Sequence, residues 1–174
     1  MNTSKDTMME STATEQADLR HFVDLPRFGP FHYTDSETLS FPWGLPGFAD
    51  LHRFVVLSIP SNEQVIWLQS IERTEIAIPL TDPWRIFEDY APVLPESARL
   101  SLEITAPDDF ALMSVLVADS SEGVVKRYIN LLAPVVINLK RRIGRQVMLE
   151  GTNYGVRTPL LADPLLSSEE SPEE

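Results

Sequence analysis

Residues 53–70 read RFVVLSIPSNEQVIWLQS, and this stretch decides the fold class. Two runs rich in β-branched, aromatic and other apolar residues, 53–59 and 64–70, flank the turn-forming sequence Pro60-Ser61-Asn62. β-branched and aromatic residues favour strands, whereas Pro, Ser and Asn favour turns. We therefore predict a β-hairpin whose two strands cover residues 53–59 and 64–70.

Further short apolar runs follow along the chain at intervals of about ten residues, a spacing typical of antiparallel sandwiches and barrels. These runs cover residues 75–80, 100–104, 110–118, 134–139 and 146–149. The sequence therefore predicts an all-β fold, arranged as an antiparallel, barrel-like single domain.

Helical signals are few and short. The chain has 14 prolines, and each of them breaks a helix or marks a turn or an edge strand. We expect one or two short helical turns, one at residues 84–90, where Asp82 can cap and Pro83 takes the favoured first position. The second is expected at residues 95–99, and residues 122–132 show a mild helical period.

The length of 174 residues predicts one domain with additional segments at its ends. Residues 1–21 are polar and contain no sustained apolar period, so we expect a disordered N-terminal extension. Residues 162–174 contain five acidic and no basic residues and are expected to form a disordered acidic tail. The folded β domain is therefore predicted to span residues 22–161.

The charge excludes several classes of function. The net charge is −12, whereas nucleic-acid binding without sequence preference needs concentrated Lys and Arg, so we expect no direct nucleic-acid contact. Residues 123–161 nevertheless hold seven basic residues and one acidic residue, against five basic and sixteen acidic in 21–122. This asymmetry indicates either a directional field that orients a partner, or segments that interleave so that the field averages out.

No membrane span is expected, because no apolar run approaches the ~20 residues that a spanning helix needs. The first 20 residues carry no signal-peptide pattern, and the chain has no cysteine, which fits a reducing compartment. These features predict a cytoplasmic protein.

Groupings that could carry catalysis are sparse. The histidines His21, His32 and His52 are too far apart in sequence to form a local metal site, and no phosphate-binding or nucleophile motif is present. The acidic pairs at 88–89 and 108–109 are typical of solvated turns. We therefore expect no enzymatic activity, no metal and no cofactor. A β-barrel enzyme with dispersed carboxylates remains an alternative.

Two loops have distinctive composition. The basic strip 140–145, KRRIGR, is predicted to form a hairpin tip in which Gly144 supplies a positive φ. Residues 41–48 read FPWGLPGF, where two prolines and two glycines fix a rigid bend among aromatic side chains. Such a segment either plugs the core or displays anchors for a partner protein.

The order of several motifs resembles the family of the flagellar assembly factor FliW. The resemblance covers roughly residues 24–161. Its motifs are Arg27-Phe28-Gly29, the FPWGLPGF segment at 41–48, Trp67-Leu68-Gln69-Ser70, Thr81-Asp82-Pro83, NLLAPVVIN at 130–138, Arg145-Gln146-Val147, Tyr154, Arg157, Pro159 and Leu160.

The resemblance implies an all-β, barrel-like cytoplasmic protein without catalysis, expected to be a monomer. Similar proteins bind flagellin before its export and also bind CsrA, a dimeric translational repressor of flagellin mRNA. Free FliW antagonises CsrA, and export of flagellin frees FliW, so flagellin synthesis is coupled to export. A chaperone for flagellin alone, with no translational role, is the alternative within this class.

Acidic side chains of the net-negative part are the predicted CsrA contacts, since they complement a basic RNA-binding repressor. Flagellin is expected to present largely apolar helix, so exposed members of an aromatic set are its predicted contacts. The CsrA candidates are Asp82, Glu88, Asp89, Asp108 and Asp109. The flagellin candidates are Trp43, Leu45, Phe48 and Trp84. Polar residues expected to hold the fold are Asn130, Asn138, Tyr154 and Arg157.

Overall fold

The computed structural model describes residues 19–121 and 123–160. It confirms the all-β class: strands dominate, and helical structure is confined to one short α-helix and three 3-10 turns in this part of the chain. The strands are β1 (Arg20–Leu25), β2 (Gly29–Thr34), β3 (Leu39–Ser40), β4 (Arg53–Ile59), β5 (Asn62–Ser70), β6 (Ala77–Thr81), β7 (Phe110–Asp119), β8 (Lys126–Ile129), β9 (Val135–Asn138), β10 (Ile143–Gln146) and β11 (Thr158–Pro159). The helical elements are α1 (Glu96–Ser101) and the 3-10 turns Asp35–Glu37, Pro83–Arg85 and Pro107–Asp109.

The main sheet closes into a ring. Its order in the described residues is β11-β8-β7-β6-β5-β4-β3-β10-β9, and β9 also pairs with β7. The predicted hairpin is β4 and β5, which pair antiparallel. The expectation of purely antiparallel pairing is wrong at one place, because Ile143 of β10 pairs in parallel with Ser40 of β3.

The ring and its covers enclose three apolar clusters. The inner cluster includes Phe54, Leu68, Leu80 and Val135 from strands of the ring, and Phe41 from the bend that follows β3. Side chains alternate across a strand, so neighbours of these residues point outward and need a cover of their own.

Two covers supply it. The separate β1–β2 hairpin buries Val55 and Leu57 of β4 together with Leu25. On another side, the chain between β6 and β7 packs Tyr90 and Leu102 into a cluster with further residues of β7, β8 and β9. The four residues of β9 are all buried, since the strand lies between the inner cluster and this outer one.

Three local predictions are wrong. Residues 100–104 were expected to form a strand, but α1 ends there: Leu100 is exposed, Leu102 is buried, and Glu103 has a φ of +52° that reverses the chain. Within residues 122–132, where the sequence has a mild helical period, the described part contains the strand β8. The strand expected at 146–149 lies earlier, at Ile143–Gln146.

The basic strip does form the β9–β10 hairpin turn, but the predicted role of Gly144 is wrong. Arg142 carries the positive φ of +56°, whereas Gly144 lies inside β10 and pairs with Ile137. A Cβ on Gly144 would overlap the buried ring of Phe41, with the ring carbon Cε1 only 2.6 Å away. Gly144 is therefore required by packing rather than by turn geometry.

The described residues include the predicted start of the folded domain at Phe22 and end one residue before its predicted limit at 161. β1 begins at Arg20, slightly before the predicted start of the folded unit at Phe22. Residues 1–18 of the predicted N-terminal extension and the tail at 162–174 lie outside the described residues, and their disorder stays a prediction. The described residues include no helical segment with the length and apolar character of a membrane span.

Candidate partner-binding surfaces

The aromatic segment 41–48 both plugs the core and exposes one anchor. Phe41 is fully buried and Leu45 is 4% exposed, so Leu45 does not meet the condition of exposure set for a flagellin contact. Phe48 is half-buried against the inner cluster. Trp43 is 49% exposed. The bend depends on Gly44, whose φ is +63° and where a Cβ would lie 2.6 Å from the Cα of Ala49.

Trp43 lies beside a cation. The guanidinium carbon of Arg145 is 5.1 Å from the centre of the Trp43 ring, within range of a cation–π contact. Arg145 also donates a hydrogen bond from Nη1 to Oγ of Ser101 at 3.1 Å. The loop, β10 and the end of α1 are thus joined, and Trp43 is held in a defined position on the surface.

The second exposed anchor, Trp84, lies in the segment between β6 and α1. As predicted, Asp82 caps the 3-10 turn: its Oδ1 accepts a hydrogen bond from the Trp84 backbone N–H at 2.9 Å, and Pro83 comes first in the turn. The indole N–H of Trp84 donates to the carbonyl oxygen of Tyr90 at 2.7 Å, which fixes the ring while 41% of the residue remains exposed.

Next to this anchor is an open cavity of about 340 Å³ with aromatic walls. Its lining includes Phe87, Tyr90 and Tyr154, and the rings of the two tyrosines are 4.8 Å apart. Burial, and then the proximity of Tyr154, raises the pKa of Tyr90 to about 12, so its phenol is neutral at physiological pH. Glu88 and Asp89 belong to the same lining and are exposed.

The structure therefore brings three predicted contacts together in one segment. Trp84, predicted for flagellin, and Glu88 and Asp89, predicted for CsrA, are close in sequence and lie around the Tyr90 side chain, whose ring is 5.6 Å from that of Trp84. Asp82 precedes them and is 3.8 Å from the guanidinium of Arg85.

Asp108 and Asp109 lie elsewhere and differ from each other. Asp108 is exposed, whereas Asp109 is 3% exposed and accepts a hydrogen bond from the Lys140 ammonium at 2.6 Å. That ammonium, the Thr105 hydroxyl and nearby backbone N–H groups hold the pKa of Asp109 well below its usual range. The same contact raises the pKa of Lys140. Asp109 thus stabilises the loop before β7 and has no carboxylate surface to offer a partner.

The residues expected to hold the fold do so. The Asn138 amide donates to the carbonyl oxygens of Leu102 and Glu103, and its oxygen accepts from the backbone N–H groups of Lys140 and Arg141. The other three residues of the set also make polar contacts within the fold. Asn130 accepts from the N–H of Ala133, Tyr154 from the N–H of Ala91, and Arg157 pairs with Asp119 at 2.6 Å.

Sequence reasoning missed the cavity itself and the cation beside Trp43. Tyr90 and Tyr154 meet although 64 positions separate them, and no local pattern joins them. Across the described ranges, no group of three His, Asp or Glu side chains is placed to hold a metal ion. The surfaces that the geometry offers are thus suited to contacts with proteins: rigid aromatic anchors with charges at their edges.

Comparison with known proteins identifies the family. The family model described as FliW protein matches residues 23–160, so the chain belongs to the FliW family. The flagellar assembly factor FliW of Oceanobacillus iheyensis is 37% identical over 131 residues, covering 75% of this chain and 88% of that protein. That of Moorella thermoacetica is 36% identical over 146 residues, covering 84% of this chain and 92% of that protein.

A solved structure gives the same result. The crystal structure of a flagellar assembly factor FliW superposes with a TM-score of 0.74 at 28% identity, covering 83% of this chain and 99% of that one. The resemblance drawn from the sequence motifs is therefore confirmed, and so is the all-β fold that it implied.

Proposed function

We propose that this protein is a flagellar assembly factor that works by binding other proteins and catalyses no reaction. The observation that carries the proposal is the similarity to proteins named flagellar assembly factors over most of both chains. The sequence contains no phosphate-binding loop and no nucleophile motif, which agrees with a binding role.

The proposed partners are flagellin and the translational repressor CsrA. The protein binds flagellin before export, and in the free state it binds and antagonises the translational repressor CsrA, so that flagellin export relieves repression. A cytoplasmic location and a monomeric state belong to the same proposal. The acidic charge supports it, because an RNA-binding repressor must carry basic surface, and an acidic protein docked beside that surface disfavours RNA.

The proposed contact residues are members of the predicted sets whose side chains are exposed. For flagellin they are the exposed aromatic residues Trp43 and Trp84, because rigid aromatic side chains are the strongest anchors in protein interfaces. For CsrA they are the exposed acids Glu88 and Asp89, with Asp108 as a further candidate. Antagonism is reciprocal if RNA and this protein occupy different sites on CsrA: bound RNA then weakens the protein's binding by the same factor.

A gel-shift assay tests the proposal. CsrA is bound to the leader RNA of the flagellin mRNA, and the purified full-length protein is added at increasing concentration. We expect release of the RNA at micromolar protein and suppression of that release by an equimolar amount of flagellin. No release at tens of micromolar protein contradicts the role against CsrA, and flagellin binding without release would indicate a chaperone for flagellin alone.

A further inference from the structure

We propose that the cavity walled by Phe87, Tyr90 and Tyr154 binds the side chain of an arginine that a partner protein presents. This inference rests on the proposed function only in that the partner is a protein. Three features of the cavity carry it: its walls, its charges and its rigidity.

Apart from two carboxylates, the residues that line this open cavity of about 340 Å³ are apolar or aromatic. Besides the three aromatic residues, Ile86 and Leu131 contribute apolar side chains. A guanidinium is planar, weakly hydrated and stacks on aromatic faces, while the aliphatic stem of arginine packs against apolar surface. A small metal ion or a free ammonium would leave most of this apolar lining in contact with water.

The charges are two carboxylates, Glu88 and Asp89, both of which are exposed parts of the lining. Within the described residues neither makes an internal hydrogen bond or ion pair, unlike Asp82 with Arg85 and Asp109 with Lys140. Carboxylates accept the paired N–H groups of a guanidinium in a bidentate fashion, which gives geometric specificity as well as attraction. The cavity thus presents uncompensated negative charge where a cation can also contact aromatic rings.

The walls are held in place before any partner arrives. The Tyr90 hydroxyl donates to the carbonyl oxygen of Leu131 at 2.8 Å, and the Tyr154 hydroxyl accepts from the N–H of Ala91 at 2.9 Å. The carbonyl oxygen of Tyr90 is occupied by the indole N–H of Trp84. Since these hydrogen bonds fix the tyrosines, an entering side chain pays little to order them, and a preorganised site binds more tightly.

The test uses the isotope-labelled full-length protein and two small probes in a two-dimensional NMR titration. The probes are N-acetyl-arginine amide and N-acetyl-citrulline amide, which have nearly the same shape but differ in charge. We expect saturable shifts of the backbone amides of 86–91 and 154 with the arginine probe, and none or much smaller ones with citrulline. Equal shifts with both probes, or shifts spread over the acidic surface, overturn the proposal.

Variants without the two carboxylate charges test whether the cavity contributes to the binding of a partner protein. The double variant Glu88→Gln/Asp89→Asn should lose the shifts and bind CsrA or flagellin at least about tenfold more weakly, a change of about 1.4 kcal/mol. The matched control Glu63→Gln/Glu75→Gln removes the same charge at two other exposed acids and should leave both readouts near wild type. An equal loss in the control pair refutes the site.

The two proposals can fail separately. If the wild-type protein binds neither CsrA nor flagellin, the proposed function fails, while the NMR titration still decides whether the cavity takes a guanidinium. If both proteins bind and the double variant binds them as tightly as wild type, no partner arginine enters the cavity and the inference is wrong.

Discussion

Gly144→Ala is expected to destabilise the protein through one identifiable clash. Gly144 lies in β10 directly on the buried ring of Phe41, and an added Cβ would be 2.6–2.7 Å from the ring carbons Cε1 and Cε2. The ring tip cannot move away easily, because Phe41 is fully buried and packs edge-on against Phe54 with ring centres 5.0 Å apart. Inserting one carbon into a packed core typically costs about 1–3 kcal/mol.

The magnitude is measured by urea unfolding of the full-length variant. A loss of about 1–3 kcal/mol should lower the midpoint without changing the slope of the transition, and it should lower the melting temperature by about 2–4 °C for each kcal/mol. Gly155→Ala is the matched control: Gly155 is exposed, and its Cβ would meet the Thr158 hydroxyl at 3.3 Å and the Arg157 backbone nitrogen at 3.9 Å, so its effect should stay within about 0.5 kcal/mol.

A double-mutant cycle identifies the clash as the cause. Phe41→Leu removes the ring carbons that the new Cβ would meet, so its cost should be smaller in the Gly144→Ala background than in the wild type. Residues in direct contact commonly couple by about 0.5–3 kcal/mol. If Gly144→Ala unfolds at the wild-type midpoint, or if the two effects simply add, the explanation of Gly144 by packing is refuted.

Three further predictions concern polar and titratable side chains. Asn138→Ala leaves the buried carbonyl oxygen of Leu102 without this partner and removes three part-buried bonds to backbone groups, so it should lower the unfolding free energy by about 1–3 kcal/mol in urea titrations. A loss below about 0.5 kcal/mol would show that water replaces the side chain. The Lys140 ammonium lowers the pKa of Asp109 in the folded protein, so on acidification the Asp109 carboxylate is protonated in the unfolded chain at a higher pH than in the folded one. The unfolding free energy therefore decreases as the pH falls below about 4. In the Asp109→Asn variant, the unfolding free energy should depend less on pH between about pH 5 and 2 than in the wild type. An unchanged slope of unfolding free energy against pH contradicts this. Burial raises the pKa of Tyr90 to about 12, so Tyr90→Phe should remove the most alkaline step of a spectrophotometric tyrosine titration; persistence of that step would assign it to another tyrosine.

Local sequence signals sufficed where neighbouring residues determine the structure. The β4–β5 hairpin follows from two apolar runs around a turn, and the 3-10 turn after Asp82 follows from a capping side chain and a proline in favoured positions. The polar roles of residues such as Asn138 followed from the family resemblance.

Short alternating segments were ambiguous. Residues 100–104 alternate like a strand, yet Leu102 and Ile104 are buried by the end of α1 and the turn after it, while Leu100 faces solvent. A few residues of alternation cannot separate these cases, because tertiary packing decides between them. The parallel contact of β3 with β10 joins strands of two and four residues that are distant in sequence, and no periodic signal marks it.

The candidate surfaces depend on contacts between distant residues. Acidic composition suggested Asp109 and Glu88 alike, but only the fold shows that Lys140 neutralises Asp109 and that Glu88 borders an aromatic cavity. Trp43 and Leu45 belong to one motif, yet the bend at Gly44 places one outside and the other inside. Exposure, rather than residue type, therefore decides which members of each predicted set can contact a partner.

The central claim is that this protein holds one protein partner at a time through a rigid surface. Size-exclusion chromatography with light scattering, applied to the protein mixed with flagellin and CsrA together, measures this directly. We expect a complex with flagellin and a complex with CsrA, and no species that contains both partners. A stable particle whose mass requires flagellin, CsrA and this protein at once would contradict it.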